Sequence, residues 1–196
     1  MGAPPLETVR VFVGAMLDLG ATRRVLDLAR ATRQRAEAAG WRVRWVPAPS
    51  LHVTLRFVGD IDAGLAGALG DAMTAVARTT PPLVLGVGGL AAFPDRAAPE
   101  VLYAEITRGH GALEAVAARL DDAFAELGLA RPARRFVGHV TLGRVQYRTG
   151  GLDAVVPSGG DCGAGTVAGL DLYRSDLLSK GSEYVSLARA ELGTGR

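Results

Sequence analysis

The tetrapeptide His-Val-Thr-Leu occurs twice in this chain of 196 residues, at 52–55 and again at 139–142. The chain has only three histidines, and from its usage of Val, Thr and Leu a given His would be followed by Val-Thr-Leu roughly once in a thousand trials. Chance is therefore a poor explanation for the repeat. Either the two segments have the same architectural role, or they supply two halves of one site.

The length and composition are those of a globular protein with one domain, or with two small lobes that share a core. The hydrophobic fraction of 48% and the charged fraction of 21% are ordinary. The net charge is +2, and the 22 basic residues are spread along the chain. Proteins that bind long nucleic-acid duplexes through many phosphates need a basic face. The spread of the basic residues therefore argues against a duplex-binding protein. It leaves room for a small phosphate-bearing ligand held by one or two arginines.

The cysteine usage and the N-terminal segment indicate a cytoplasmic protein. The single cysteine, Cys162, cannot form an intrachain disulfide, and its Gly-rich surroundings contain no His that would suggest a metal or nucleophile role. The first residues lack the pattern of a signal peptide. No apolar run approaches the roughly 18 residues of a membrane span.

Strands and helices are predicted in a similar order in both halves of the chain. Alternating or β-branched segments favour strands at 9–15, 41–47, 51–59, 83–90, 101–107, 136–145, 166–175 and 183–192. Helical spacing or an alanine-rich composition favours helices at 21–40, 62–79 and 111–128. These elements predict an α+β fold of two pseudo-symmetric lobes, each an antiparallel sheet with helices packed on its outer side, and a groove between the lobes. Residues 1–196 are taken as one domain.

The repeated tetrapeptide places polar side chains on one face of each strand, because alternate residues of a strand share a face. His52 and Thr54 point one way, and so do His139 and Thr141, while the Val and Leu of each motif face the core. If the two strands lie side by side, the groove floor carries two imidazoles and two hydroxyls. One imidazole can donate a proton while the other accepts one, and hydroxyls bind anionic oxygens.

This set of groups matches in-line displacement at phosphorus without a metal. A metal site is disfavoured, because three or four ligands are usual and neither strand has a Cys or carboxylate at ligand spacing. A lone His on a strand is more often structural than catalytic, and Val-Thr-Leu alone is explained by β propensity. The recurrence of the whole tetrapeptide favours the catalytic interpretation, since core packing would not require His twice.

At these residues the sequence resembles the two-histidine (2H) phosphoesterase superfamily, which is defined by two His-x-Thr-x motifs. Within it, the chain is most similar to the bacterial and archaeal RNA 2′,3′-cyclic phosphodiesterases, historically called 2′-5′ RNA ligases. The resemblance extends over nearly the whole chain. It is carried by VRVFVGAML, VRWVPAPSLHVTLRFVGD, GGLAAFPD, RRFVGHVTLGRV and LDLYRSDLLSKGSEYVSLAR.

The resemblance implies that His52 donates a proton to the leaving oxygen and that His139 accepts one from water. Thr54 and Thr141 would hold the phosphate oxygens. From spacing alone the two histidines are interchangeable. The implied reaction opens a 2′,3′-cyclic phosphate, at an RNA 3′ end or on a nucleotide, to a 2′-phosphomonoester, with no cofactor, no membrane association and no obligate protein partner. Alternatives are another cyclic phosphate or a 2′-5′ linkage, reverse ligation, and a non-catalytic module that binds RNA ends.

The chain departs from the family pattern before the second His, and two arginines near the motifs are candidate phosphate contacts. Family members often have Pro before the second His, where this chain has Gly138, which should loosen the approach to His139. Arg144 matches an arginine of the family and is a candidate phosphate contact. Strict alternation points Arg144 away from His139, so this contact requires a bulge or a strand end. Arg56 shares the face of the first motif's His by alternation and is the other candidate.

Several residues are predicted to have no part in the site. Phe57 is expected in the core by alternation, and Trp41 and Trp45 are expected to pack. His110 is expected to be exposed at the start of a helix. The segment 86–91 fits a loose dinucleotide-binding pattern, but a proline shortly after it leaves no room for the helix that such a site needs.

Overall fold

The fold consists of an antiparallel sheet and three helices packed against it. The computed structural model describes residues 7–157, 163–178 and 181–193. The strands are β1 (Thr8–Leu17), β2 (Arg42–Trp45), β3 (Val53–Asp62), β4 (Leu83–Phe93), β5 (Val101–Arg108), β6 (His139–Tyr147), β7 (Gly163–Leu178) and β8 (Gly181–Glu191). The helices are α1 (Leu19–Ala38), α2 (Ala66–Arg78) and α3 (His110–Glu126). These elements confirm the predicted α+β class.

The eight strands form one sheet that closes on itself like a barrel. Pairing runs in the order β1, β3, β6, β5, β4 and β7, and β7 pairs again with β1. Strand β2 extends the sheet from β6, and β8 extends it from β7. All of these pairings are antiparallel. Strands β3 and β6 pair through Val53 and Val140. The two motif strands therefore lie side by side.

The core lies between the sheet and the helices. Helix α1 lies against β4 and β7, α2 lies against β7, β8 and α3, and α3 also contacts β3. Both motifs contribute their apolar residues to this core: Val53, Leu55, Val140 and Leu142 are all buried. The His and Thr residues are left on the opposite face, as alternation predicts.

The ends of the helices follow local sequence signals. The Asp18 carboxylate accepts a hydrogen bond from the backbone N–H of Ala21 at 2.7 Å and caps the start of α1. Gly40 and Gly128 have φ of +73° and +85°, which is the left-handed conformation that commonly follows a helix. These two glycines are the last residues of the helices predicted at 21–40 and 111–128.

None of the helices in the described ranges combines the length and apolar character needed to cross a bilayer. The division of residues 1–196 into two lobes of a single domain stays a prediction from the repeat.

Candidate active site

The polar side chains of the two motifs form a four-residue cluster at the junction of β3 and β6. In the antiparallel register of this junction, His52 lies opposite Thr141. By the same register Thr54 lies opposite His139. The two imidazoles therefore occupy one diagonal of the cluster and the two hydroxyls occupy the other. The Cα atoms of residues on such a diagonal are separated by about 7–8 Å.

Each imidazole is oriented by a backbone carbonyl two residues earlier in the chain. Nδ1 of His52 lies 2.8 Å from the carbonyl oxygen of Ser50, and Nδ1 of His139 lies 2.7 Å from that of Val137. Because a carbonyl only accepts, Nδ1 carries the proton in both neutral rings and Nε2 is left free to accept one. Nε2 of His52 lies 3.1 Å from the hydroxyl of Thr54, which can donate to it.

Burial lowers the pKa of both histidines. For His52, burial is the largest effect; the hydrogen bond to the carbonyl of Ser50 opposes it, and the charge of His139 lowers the pKa further. For His139, burial is again the largest effect, opposed by the carbonyl of Val137, and the charge of Arg144 lowers the pKa further. Both rings therefore favour the neutral form at pH 7. Because the charge on one ring affects the other, they titrate as a pair.

Aromatic rings surround both imidazoles and account for their burial. The ring of His52 lies 4.9 Å from Phe12, 5.4 Å from Tyr184 and 6.1 Å from Tyr173, measured between ring centroids. The ring of His139 lies 5.0 Å from Phe93 and 5.2 Å from Tyr103. These aromatic walls were not predicted from the sequence. Alternation along 11–15 could have placed Phe12 on the imidazole side, since its neighbours on both sides are buried in the core.

A β-bulge lies at the Leu of each motif. Between β1 and β3 the register passes from Thr54 directly to Arg56, which leaves Leu55 without a partner. Between β5 and β6 it passes from Thr141 directly to Gly143, which leaves Leu142 without one. Each extra residue shifts the alternation by one position. The second residue after each Leu therefore returns to the face that carries His and Thr.

The bulges determine which residues beyond the motifs face the site. Arg144 returns to the motif face and lines a cavity beside His52. Phe57 occupies the corresponding position in the first motif and is 57% exposed. The prediction that Phe57 lies in the core is therefore wrong, because it assumed uninterrupted alternation.

The prediction that Arg56 shares the face of His52 is also wrong, for the same reason. The bulge turns Arg56 toward the helices, where it is buried. Its guanidinium forms an ion pair with Asp121 at 2.9 Å and donates a hydrogen bond to the carbonyl of Ala130 at 2.5 Å. Arg56 is a structural residue and does not reach the groove.

A cavity of about 440 Å³ opens beside His52 and Arg144, within the size range of small-molecule pockets. It is lined by Met16, Arg44, Trp45, Val46, Pro47, Pro49, Ser50, His52, Arg144, Tyr173, Ser182, Glu183 and Tyr184. This lining combines aromatic and apolar surface with two arginines. His139 does not line the cavity, so the cavity lies on the His52 side of the cluster.

His110 has a structural connection to the second motif that was not predicted from the sequence. It is half-buried, not exposed, and its Nε2 lies 3.3 Å from the backbone N–H of Gly138, which donates to it. Its ring also lies 5.6 Å from that of Phe136. A proline has no N–H to donate, so this bond requires a residue other than proline at position 138. It restrains the residue that precedes His139.

The other residues set aside from the site are packed or lie elsewhere. Trp41 is buried, and Trp45 is half-buried against the core while also lining the cavity. Segment 86–91 lies within β4 and starts no helix, as predicted. Cys162 lies outside the described residues. Within those residues, no three His, Cys, Asp or Glu side chains group to hold a metal, and independence from metals stays a prediction.

The chain is similar to known proteins over most of its length. The profile of the 2′-5′ RNA ligase superfamily matches residues 25–156. RNA 2′,3′-cyclic phosphodiesterases of Geobacillus stearothermophilus and Aquifex aeolicus are 33% and 29% identical over 51% and 53% of this chain. The chain spans 32% and 55% of the length of those two relatives. The solved structure of TT0787 of Thermus thermophilus superposes with a TM-score of 0.80 at 25% identity, covering 95% of this chain and 98% of that one. The chain belongs to the 2′-5′ RNA ligase superfamily.

Proposed function

We propose that this protein hydrolyses a 2′,3′-cyclic phosphate, at an RNA 3′ end or on a nucleotide, to a 2′-phosphomonoester. The observation that carries the proposal is the diagonal arrangement of two oriented imidazoles and two hydroxyls on one face of the sheet. The names of the two relatives above support it. The proposed enzyme is a single-domain cytoplasmic protein that acts without a cofactor or an obligate protein partner.

The arrangement suits an in-line displacement. The attacking and leaving oxygens lie on opposite sides of phosphorus, and the two imidazoles lie on opposite corners of the cluster. We assign His139, in its neutral form, as the base that takes a proton from water through Nε2, and His52, in its doubly protonated form, as the acid that gives its Nε2 proton to the ribose 3′ oxygen. The P–O3′ bond breaks as the bond from water to phosphorus forms. Afterwards the two rings recover their starting protonation by exchange with solvent.

The position of the cavity supports this division of roles. The leaving 3′ oxygen belongs to the nucleoside, and the cavity that can hold a nucleoside lies beside His52. Water attacks from the opposite side, where His139 lies. The family resemblance assigns the same roles on separate grounds.

The remaining groups would stabilise charge on the phosphate. The hydroxyls of Thr54 and Thr141 lie on the second diagonal and can donate to the two non-bridging oxygens. Arg144 is close enough for its charge to lower the pKa of His139. It is therefore placed to balance the negative charge that builds up in the transition state.

A direct test is the hydrolysis of adenosine 2′,3′-cyclic phosphate by the wild-type protein in excess EDTA, with the product analysed by ³¹P NMR. We expect turnover that is unchanged by the chelator and gives the 2′-monophosphate. Formation of the 3′-monophosphate would contradict the proposed position of the leaving group. Binding of the nucleotide without turnover would indicate a binding module in place of an enzyme.

We expect kcat/KM to depend on pH as a bell with its maximum on the acidic side of pH 6.5. The active pair holds one proton, and kcat/KM reports the free enzyme. Because burial lowers the pKa of both His52 and His139 from the ordinary value of 6.5, the remaining proton is lost as pH rises through neutrality. The cyclic phosphodiester keeps one negative charge across this range, so the profile belongs to the protein. A maximum above about pH 7.5 would contradict the buried-pair explanation.

A further inference from the structure

Two arginines face each other across β2 and β6 beside the proposed catalytic cluster. Arg44 is the direct cross-strand partner of Arg144. Residues paired in this way project from the same face of a sheet, and both arginines line the cavity beside His52. Two guanidinium groups are thus held at one wall of the space that would receive the substrate.

This pairing is unfavourable for the folded protein in the absence of a ligand. Like charges directly opposite each other on neighbouring strands are destabilising. Within the described part of the chain, neither guanidinium has an ion pair or a hydrogen bond to a protein group. The carboxylate that lines the same cavity, Glu183, leaves an excess of one positive charge there. An anionic ligand would relieve the repulsion.

The two arginines lie on different strands beside the catalytic cluster. Arg144 is on the same strand as His139, and the proposed function assigns it to the reacting phosphate. Arg44 is on β2, which pairs with the same edge of β6 as β3 but farther along the strand, so Arg44 does not belong to the four-residue cluster. A mononucleotide cyclic phosphate carries one phosphate and leaves Arg44 without an anion to bind.

The cavity provides a place for a nucleoside beside the two arginines. Trp45, Pro47 and Tyr184 contribute aromatic and apolar surface to the wall that also carries Arg44. Aromatic rings bind nucleobases by stacking, and the planar guanidinium fits a phosphate through two parallel hydrogen bonds.

We propose that Arg44 binds the phosphodiester that precedes the terminal nucleotide, so that the enzyme prefers an oligoribonucleotide end to a mononucleotide. This proposal rests on the proposed function and extends it from the reacting group to the class of substrate. The phosphodiester would lie outside the catalytic cluster and take no part in the bond changes.

The test compares Arg44→Ala with the wild type on two substrates: adenosine 2′,3′-cyclic phosphate, and the dinucleotide ApA that ends in a 2′,3′-cyclic phosphate. We expect the variant to lose about tenfold in kcat/KM on the dinucleotide, the usual value of a hydrogen bond between charged groups. On the mononucleotide it should stay within about twofold. The slope of log kcat/KM against log salt should fall by about 0.7 for the dinucleotide only.

Two controls make the result specific. Arg42→Ala removes the same charge from the same strand, but Arg42 stacks on Tyr147, 5.3 Å from the ring centre, and does not line the cavity; it should leave the preference unchanged. A dinucleotide with an uncharged methylphosphonate linkage should be turned over equally by the wild type and by Arg44→Ala.

The outcomes separate this proposal from the proposed function. If the wild type turns over neither substrate, the proposed function fails and the assignment of Arg44 fails with it. In a second outcome, the wild type turns over both substrates while Arg44→Ala lowers kcat/KM equally for both, or for neither. In that case the proposed function stands and the assignment of Arg44 is overturned. A loss confined to the charged dinucleotide supports the assignment.

Discussion

Replacement of His52 or His139 by alanine is expected to lower kcat on a nucleoside 2′,3′-cyclic phosphate by about a thousandfold in either case. Each ring handles one proton of the same displacement, so neither can substitute for the other. The double variant should be little worse than either single variant, because the two groups act as a unit. Thermal unfolding should show that all three variants remain folded, since both rings lie on the groove face and outside the core cluster.

The two roles can be separated with a substrate whose leaving group needs no proton. In a 3′-deoxynucleoside 2′-(p-nitrophenyl phosphate), p-nitrophenolate takes the place of the ribose 3′ oxygen and departs as a stabilised anion. We expect His52→Ala to recover to within about tenfold of the wild type on this substrate, whereas His139→Ala should stay strongly impaired. Recovery of His139→Ala alone would reverse the roles. Full activity of either variant on the cyclic substrate would rule out the two-histidine mechanism.

The sequence was sufficient to predict the centre of the site, because that centre depends only on local geometry. Alternation along a strand places His52 with Thr54, and His139 with Thr141, whatever the rest of the fold does. The buried Val and Leu of each motif then determine which way these pairs face. The side-by-side placement of the two strands could be predicted from one assumption, which is that both copies of the motif belong to a single site.

The periphery of the site depends on features that alternation does not describe. A single unpaired residue at Leu55 or Leu142 reverses the facing of the residues that directly follow it. It buries Arg56, exposes Phe57 and turns Arg144 into the groove. The aromatic walls come from strands far apart in sequence, and their positions depend on the closed order of the sheet. The pairing of Arg44 with Arg144 depends on register between β2 and β6, for which the sequence carries no local signal.

Replacement of Arg56 by alanine is expected to lower the free energy of unfolding by about 3 kcal/mol, because it leaves a partly buried carboxylate without its partner. Arg56 is 5% exposed and Asp121 is 22% exposed, and their ion pair measures 2.9 Å. The variant also removes the donor to the carbonyl of Ala130. In a protein of this size the midpoint of thermal unfolding should fall by about 6–12 °C.

A second arginine on the neighbouring strand gives a matched control. Arg10 pairs with Asp60 at 2.7 Å, but the two side chains are 36% and 53% exposed, so Arg10→Ala should destabilise the protein much less than Arg56→Ala does. Equal losses in Arg10→Ala and Arg56→Ala would show that burial does not govern the effect. Partial recovery in the Arg56→Ala, Asp121→Ala double variant is expected, because the lone charge is then gone.

The loss in Arg56→Ala should also depend on pH. Burial raises the pKa of Asp121, and the charge of Arg56 lowers it. Burial already outweighs the charges of Arg56 and Arg131 in the wild type, so the pKa of Asp121 rises further without Arg56 and the carboxyl takes up a proton at higher pH. The destabilisation is therefore complete near neutrality, where Asp121 is charged and unpaired, and it shrinks as the pH falls and the carboxyl becomes neutral. Urea unfolding at about pH 7 and about pH 4.5 measures this difference. If the variant loses the same free energy of unfolding at both pH values, the loss comes from packing and from the hydrogen bond to Ala130. An unpaired charge would then make no contribution.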